Sequence, residues 1–307
     1  MSPAKKRGFF FNVMDDKKIK VREPKKVAIQ GVLGAFHEIA ARRFFNNHDI
    51  IIIPCDTFEQ IASAISNNEI DYGVMAIENT VAGSLLPNYN LLREHPVKII
   101  GEEYLRVKQN LMALPGQSIS DLTEVHSHYM AIAQTRQFFK QFPDIKLVES
   151  VDTALSARKI FEKQLVGKGA IASELAAKIY NLEILAEGIE TNKRNYTRFL
   201  IITHNNNTDD LAIKPSKSSF CFSLPHKQGS LSQVLSVLAF YDMNLTKIQS
   251  LPIIGKEFRY FFYVDVSFDD YTRYQQSISA IMPLVVDFQM LGEYKYAIES
   301  LESIHNQ

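Results

Sequence analysis

Tyr72-Gly-Val-Met-Ala-Ile77 is an almost unbroken apolar run, and Glu78-Asn79-Thr80-Val81-Ala82-Gly83 follows it directly. An extended segment that is apolar on both faces belongs to a strand covered on both sides, as in the middle of an α/β sheet. The carboxylate, amide and hydroxyl at its C-terminal end then stand where open α/β sheets hold ligands. A plain turn built from Asn and Thr is the competing reading of the same residues.

The flanking segments repeat the pattern. Residues 27–29 form a short apolar strand, and Gln30-Gly31-Val-Leu-Gly34-Ala-Phe-His-Glu38 is a glycine-bearing turn entering a helix with Ala40, Ala41, Phe44 and Phe45 at helical spacing. With Gly31 and Gly34 alone, the three-glycine dinucleotide fingerprint is absent. Residues 50–54 read as a second strand, and Thr57-Phe-Glu-Gln60 has the form of a capping box opening a helix over 58–66. Alternation of strand and helix argues a parallel sheet.

A second block follows the same rhythm. Residues 97–101 and 107–114 read as strands, and another closes at Val125. Ser127 is expected as the N-cap of a helix over 130–140, with Gln134 inside it and His128 as a general acid or ligand contact. Asp152 is the natural N-cap of a helix through residue 161, and Ser173-Glu174 caps another after a strand at 169–172. Residues 182–186 form a short strand. Asn195-Tyr-Thr-Arg-Phe199 then runs into Leu200-Ile-Ile202, which puts the neutral donor Thr197 and the permanent cation Arg198 at the mouth of a strand. That pair suits a substrate with carboxylates and a departing oxygen. Two α/β blocks, roughly 25–85 and 105–190, with a final strand after both, imply two lobes around a cleft.

Composition removes several function classes. The 307 residues allow two domains on a prior of about 150 residues each. Thirty-four basic and 34 acidic residues cancel, so no global field draws the chain to nucleic acid or an anionic membrane. No apolar run approaches the roughly 18 residues of a membrane span. Cys55 and Cys221 lie far apart with no metal-ligand spacing; no disulfide framework, metal site or cofactor is expected, and a reducing cytoplasm fits. Residues 1–24, with the short patch Gly8-Phe-Phe-Phe11, read as an extension without the apolar core of a secretory signal.

His204-Asn-Asn-Asn-Thr-Asp-Asp210 and Lys214-Pro-Ser-Lys217 mark a linker, set at 205–217. Beyond it, strands at 219–224, 245–250, 259–266 and 285–291 and helices at 231–241 and 271–282 give the order βαββαβ, the ferredoxin-like arrangement. This unit carries no obvious catalytic set and is read as a binding or oligomerising module.

Taken together and in order, Gly31-Val-Leu-Gly-Ala-Phe-His-Glu38, Ile77-Glu-Asn-Thr-Val-Ala-Gly83, Ser127-His128 with Gln134, Asp152-Thr-Ala154, Ala170-Ile-Ala-Ser173 and Asn195-Tyr-Thr-Arg-Phe199 resemble the prephenate dehydratase family over residues 25–295. The resemblance implies a periplasmic-binding-protein-like catalytic domain over 25–204. Its lobes would be 25–105 with 191–204, and 106–190. An ACT regulatory domain over 218–297 and a tail over 298–307 would follow. A chorismate mutase fusion is not expected with only about 24 residues ahead of the first strand. Leu33, His37 and Tyr129 depart from the Pro, Ser and Pro common in the family.

The implied reaction is the decarboxylating dehydration of prephenate to phenylpyruvate in phenylalanine synthesis, without metal or cofactor. Arogenate dehydratase is the enzymatic alternative, and a non-catalytic amino-acid sensor is the alternative from another class. Arg198 is expected to anchor the pyruvyl carboxylate, Thr197 to donate to the leaving hydroxyl, and Glu78 or His128 to complete proton transfer. Asn79, Thr80, Gly83, Ser127, His128, Gln134, Thr153, Ala172, Ser173, Asn195 and Phe199 are the implied substrate contacts. L-Phe is the implied effector, at Gly229-Ser230-Leu231 and Gln249-Ser250-Leu251-Pro252; the second segment stands where the family has Glu-Ser-Arg-Pro. A homodimer or homotetramer is implied.

Overall fold

The computed structural model describes residues 24–46, 49–207 and 214–298. Apart from Pro24 and Ile298, the expected N-terminal extension and C-terminal tail lie outside the described residues, as does part of the linker.

In the first lobe β1 (Lys25–Gln30), β2 (Ile50–Cys55) and β3 (Tyr72–Asn79) run parallel, joined through α1 (Phe36–Phe44) and α2 (Phe58–Ser66). The two-residue β4 (Gly83–Ser84) folds back on β3. Then α3 (Leu86–Glu94), a helix not anticipated from periodicity, leads to β5 (Val97–Arg106). The second lobe holds β6 (Asn110–Ala113), β7 (Glu124–His128), α4 (Tyr129–Phe139), β8 (Lys146–Ser150), α5 (Thr153–Lys163), β9 (Lys168–Ala172), α6 (Glu174–Ile179) and β10 (Glu183–Ala186). Its sheet order is β10-β6-β9-β7-β8.

The chain returns as β11 (Tyr196–His204), completing a first sheet of order β2-β1-β3-β11-β5. Both sheets are mixed rather than parallel. β11 re-enters from the cleft end, where β3 finishes, and so must run antiparallel to both β3 and β5. In the second lobe β6 is antiparallel to both β9 and β10.

Beyond the linker come β12 (Lys217–Ser223), α7 (Ser230–Phe240), β13 (Asn244–Pro252), β14 (Tyr260–Ser267), α8 (Tyr271–Ile281) and β15 (Val286–Tyr294). They form an antiparallel sheet of order β13-β14-β12-β15, the βαββαβ topology read from the sequence. Lys217, expected in the linker, opens β12 and is buried.

Packing joins these parts rather than isolating them. One core runs through both lobes, from Val27, Ala40, Ala41 and Phe199 to Met112, Ala154, Ala172 and Ala176. A second takes Met75, Ile77, Ile99 and Leu200 of the first sheet and Leu92 of α3 together with Leu251, Tyr263, Leu291 and Tyr294 of the C-terminal unit. The turn before α1 seats on the second lobe. Ser173 Oγ donates to Gly34 O at 2.6 Å, and Tyr180 Oη to Leu33 O at 2.7 Å. Gly34, at φ +88°, allows this approach, because a Cβ there would lie 2.7 Å from Ala176 Cα.

Helix starts follow the sequence closely. Thr57 Oγ1 accepts from Gln60 N at 3.1 Å, while the Gln60 side chain reaches back to Asp56 N instead of the cap residue. Asp152 Oδ1 accepts from Leu155 N at 2.8 Å, a contact of a kind contributing about 1 kcal/mol.

Candidate active site

A cavity of about 420 Å³ opens between the lobes. Gln30, Phe36, His37, Asn79, Ser84, Thr197 and Phe199 line it from the first lobe. His128, Tyr129, Gln134, Asp152 and Thr153 face them from the second, and Gln109 stands at the crossing between lobes.

Thr197 is held by a relay of amides. Asn79 Nδ2 donates to Thr197 Oγ1 at 2.9 Å and to Asn195 Oδ1 at 2.8 Å. Asn195 Nδ2 donates to Gln134 Oε1 across the lobes at 2.9 Å. Asn79 Oδ1 accepts from Val81 N and Ala82 N, which locks its amide orientation. Because Thr197 Oγ1 accepts from Asn79, its own hydrogen is left to donate into the cleft.

His128, rather than Ser127, is the N-cap of α4. Its Nδ1 accepts from Met130 N at 3.3 Å, so the neutral ring carries its proton on Nε2. Burial pulls the His128 pKa down, against the opposing charges of Asp152 and Glu149. Ser127 is buried and donates to Ile171 O at 2.7 Å. It occupies an inward position of β7, which explains why it ties strands together instead of opening the helix. His37 packs edge-on against Phe199, with ring centroids 5.0 Å apart. Burial lowers its pKa to about 4, which keeps it neutral near pH 7.

Strand alternation sets two corrections. Thr197 and Phe199 line the cleft, and Arg198 between them points to the opposite face. Its guanidinium reaches Glu102 Oε2 at 2.7 Å, Asp265 Oδ2 at 2.5 Å and Tyr294 Oη at 3.0 Å, all buried. It is therefore a bridge to the C-terminal unit, and not the substrate anchor expected. Glu78 alternates with Asn79 in the same way. Its carboxylate pairs with Lys247 of β13 at 2.7 Å, and the same ammonium reaches Ser84 Oγ.

The remaining expected contacts divide. Asn79, His128, Gln134, Thr153, Thr197 and Phe199 line the cleft together. Asn195 stands behind it in the amide relay. Thr80 Oγ1 is spent on Arg194 O and Tyr196 N, and Gly83 lies exposed in β4. Ala172 is buried in β9. Ser173 lines a different cavity, of about 730 Å³, on the other side of Phe36 among Arg42, Arg43, Arg106, Lys108 and Lys178.

Gln109, Asp152 and Tyr129 were not anticipated as cleft residues. In the sequence Asp152 reads as a helix cap and as part of the family segment Asp152-Thr-Ala154. Of the effector residues, Gly229, Ser230 and Leu231 line a cavity of about 390 Å³ with Lys227, Arg259 and Tyr260. Gln249, Ser250, Leu251 and Pro252 lie on β13 outside its lining, and Leu251 is buried against the first sheet.

The family profile described as prephenate dehydratase matches residues 27–207. The chain belongs to the prephenate dehydratase family. Among curated relatives it is 36% identical to arogenate dehydratase 2 of Petunia hybrida, over 88% of this chain and 71% of that protein. It is 30% identical to the bifunctional chorismate mutase/prephenate dehydratase of Buchnera aphidicola, again over 88% of this chain and 71% of the relative. The prephenate dehydratase of Arthrobacter aurescens, solved with L-Phe, superposes with a TM-score of 0.79 at 25% identity, over 92% of this chain and 97% of that one. Among the described residues no helix is long and apolar enough to cross a membrane.

Proposed function

We propose that the protein is a prephenate dehydratase of phenylalanine synthesis and that the interlobe cleft is its active site. The observation that carries this is the Thr197 hydroxyl, oriented by Asn79 and facing the cleft with its hydrogen free. In the reaction the bond from ring carbon to carboxylate breaks, its electron pair completes the aromatic ring, and the hydroxyl opposite leaves as water. Thr197 donates a hydrogen bond to that oxygen as negative charge develops, the neutral His128 Nε2–H supplies a second donor, and the proton that completes the water comes from solvent. With Arg198 turned away, the side-chain carboxylate is held by neutral donors. The N-terminus of α1 has no side-chain cap at Ala35 and opens beside the cavity. A cleft of neutral donors also avoids over-stabilising the carboxylate that must depart.

The C-terminal unit is proposed as an ACT domain that binds L-Phe, at the cavity beside Gly229-Ser230-Leu231. Its edge strand β13, with Leu245 and Ile248 partly exposed, supports assembly into a dimer or tetramer. The free thiols Cys55 and Cys221 support a reducing compartment such as the cytoplasm.

The test is conversion of prephenate to phenylpyruvate by the wild-type chain and Thr197→Ala. Removing the donor is expected to lower kcat by about 10²-fold or more, with KM within about threefold. Wild-type turnover of neither prephenate nor arogenate, or a variant retaining kcat, would contradict this assignment.

A further inference from the structure

We propose that Gln109 contacts the substrate, its Oε1 accepting the hydrogen of the departing ring hydroxyl while Thr197 donates to the same oxygen. This rests on the reading of the cleft as a dehydratase site and names the partner that aligns the leaving group there.

The amide relay has a fixed polarity. Asn79 Oδ1 accepts from Val81 N at 2.9 Å and from Ala82 N at 2.8 Å, so its Nδ2 faces Thr197 Oγ1 and Asn195 Oδ1. Asn195 Nδ2 then faces Gln134 Oε1, and Gln109 Nε2 donates to that oxygen at 3.5 Å, a long contact. Each amide hands its orientation to the next, because its oxygen only accepts and its nitrogen only donates. The two ends of the relay therefore differ. One is the Thr197 hydroxyl hydrogen, a donor, and the other is Gln109 Oε1, an acceptor. Both residues line the same cavity.

The acceptor end is unused. Gln109 is 3% exposed, and its Oε1 has no hydrogen-bond partner. A buried acceptor in that condition is costly until something donates to it. The Gln109 backbone is tied on both sides: its N–H donates to Glu190 Oε2 at 2.9 Å and its carbonyl accepts from Ile189 N at 2.8 Å. These bonds hold the side chain at the cleft wall. The carboxylate in the lining, Asp152, is already served by the N–H groups that open α5.

Prephenate supplies what Gln109 lacks. It carries two carboxylates, a ketone and a hydroxyl, and at neutral pH the hydroxyl hydrogen is the one it can donate. The hydroxyl oxygen has two lone pairs, for Thr197 and His128, and this single hydrogen, for Gln109. When the C–O bond breaks, its electron pair goes with the oxygen, which keeps its hydrogen, and solvent adds the proton that completes the water. Hydroxide is a poorer donor than an alcohol, so the bond to Gln109 is made on binding and does not strengthen as charge develops. It aligns the substrate and contributes to affinity rather than to lowering the barrier.

The experiment measures kcat and KM for prephenate, and the inhibition constant of phenylpyruvate, in wild type, Gln109→Met and Gln109→Asn. The Met variant removes the acceptor at similar length, and the Asn variant keeps the amide but withdraws it by one methylene. Should one fail to fold, the other carries the test. In both, KM is expected to rise about tenfold while kcat stays within about threefold. Phenylpyruvate has lost the hydroxyl, so its inhibition constant should stay within about twofold. An unchanged KM would overturn the role of Gln109, as would a rise matched by the phenylpyruvate constant or a kcat loss larger than the rise in KM. Failure of wild type to turn over prephenate would instead remove the dehydratase reading.

Discussion

Arg198 shows how one residue's role depends on which face of a strand it occupies. Beside Thr197 in the chain, it reads as the partner of a substrate carboxylate. In the fold it joins Glu102, Asp265, Tyr294 and, through Glu102, Lys217, whose ammonium lies 2.9 Å from Glu102 Oε2. Two cations and two carboxylates balance, with Ser219 Oγ donating to Asp265 Oδ1 at 2.6 Å. Burial pushes the Asp265 carboxyl up, but Arg198 and Lys217 more than offset this and hold it below the usual carboxylate range. Removing one partner from such a group leaves a buried charge uncompensated. Arg198→Ala is expected to lower unfolding free energy by about 3–5 kcal/mol, measured by urea denaturation. A variant of unchanged stability whose KM rises tenfold would return Arg198 to the anchor role.

At the scale of elements, the turn between β1 and α1 is the seam between the lobes. Ser173 both caps α6 and donates to Gly34 O, so the same hydroxyl begins a helix and fastens the opposite lobe. Gly34 combines a left-handed φ of +88° with a backbone approach that no Cβ fits. Gly34→Ala therefore meets conformational strain and a clash at once. It is expected to cost about 2 kcal/mol or more, seen as a lower midpoint in thermal melts, with kcat falling because the two walls of the cleft separate. An alanine variant as stable as wild type would mean that the lobes are not joined there.

At the scale of the molecule, the C-terminal unit shares a core with the first sheet. Gly292 of β15 packs so closely that a Cβ would fall 2.2 Å from Ile99 O on β5. Lys247 adds an ionic tie to the end of β3, one residue from Asn79. The unit that carries the proposed effector cavity is thus bonded to both strands that carry the amide relay and Thr197. Gly292→Val should break this packing while leaving each core intact. Differential scanning calorimetry is expected to show the C-terminal unit melting apart from the first lobe in the variant, and together with it in wild type. A single unchanged transition in the variant would show that the shared core does not couple them.

Local chemistry was legible in the chain itself. Period and capping residues located α2, α5, α6 and the βαββαβ order, because a helix start is specified by a side chain and a backbone group three residues away. The same logic missed α3, whose Leu85 N-cap makes no side-chain cap bond and whose first turn carries Pro87. It also misplaced the cap of α4, where His128 does what a serine usually does. Motifs in family order located Asn79 and Thr197, which pair within the first sheet, and Gln134, which joins them through Asn195 from the second lobe. Sequence alone did not decide which neighbours share a face across lobes and domains. Arg198 and Glu78 went to the C-terminal unit, and Asp152 and Gln109 came to the cleft. Their partners lie tens of residues away, and their direction follows from strand alternation and from which sheet covers each face. Only the tertiary structure settles those two things.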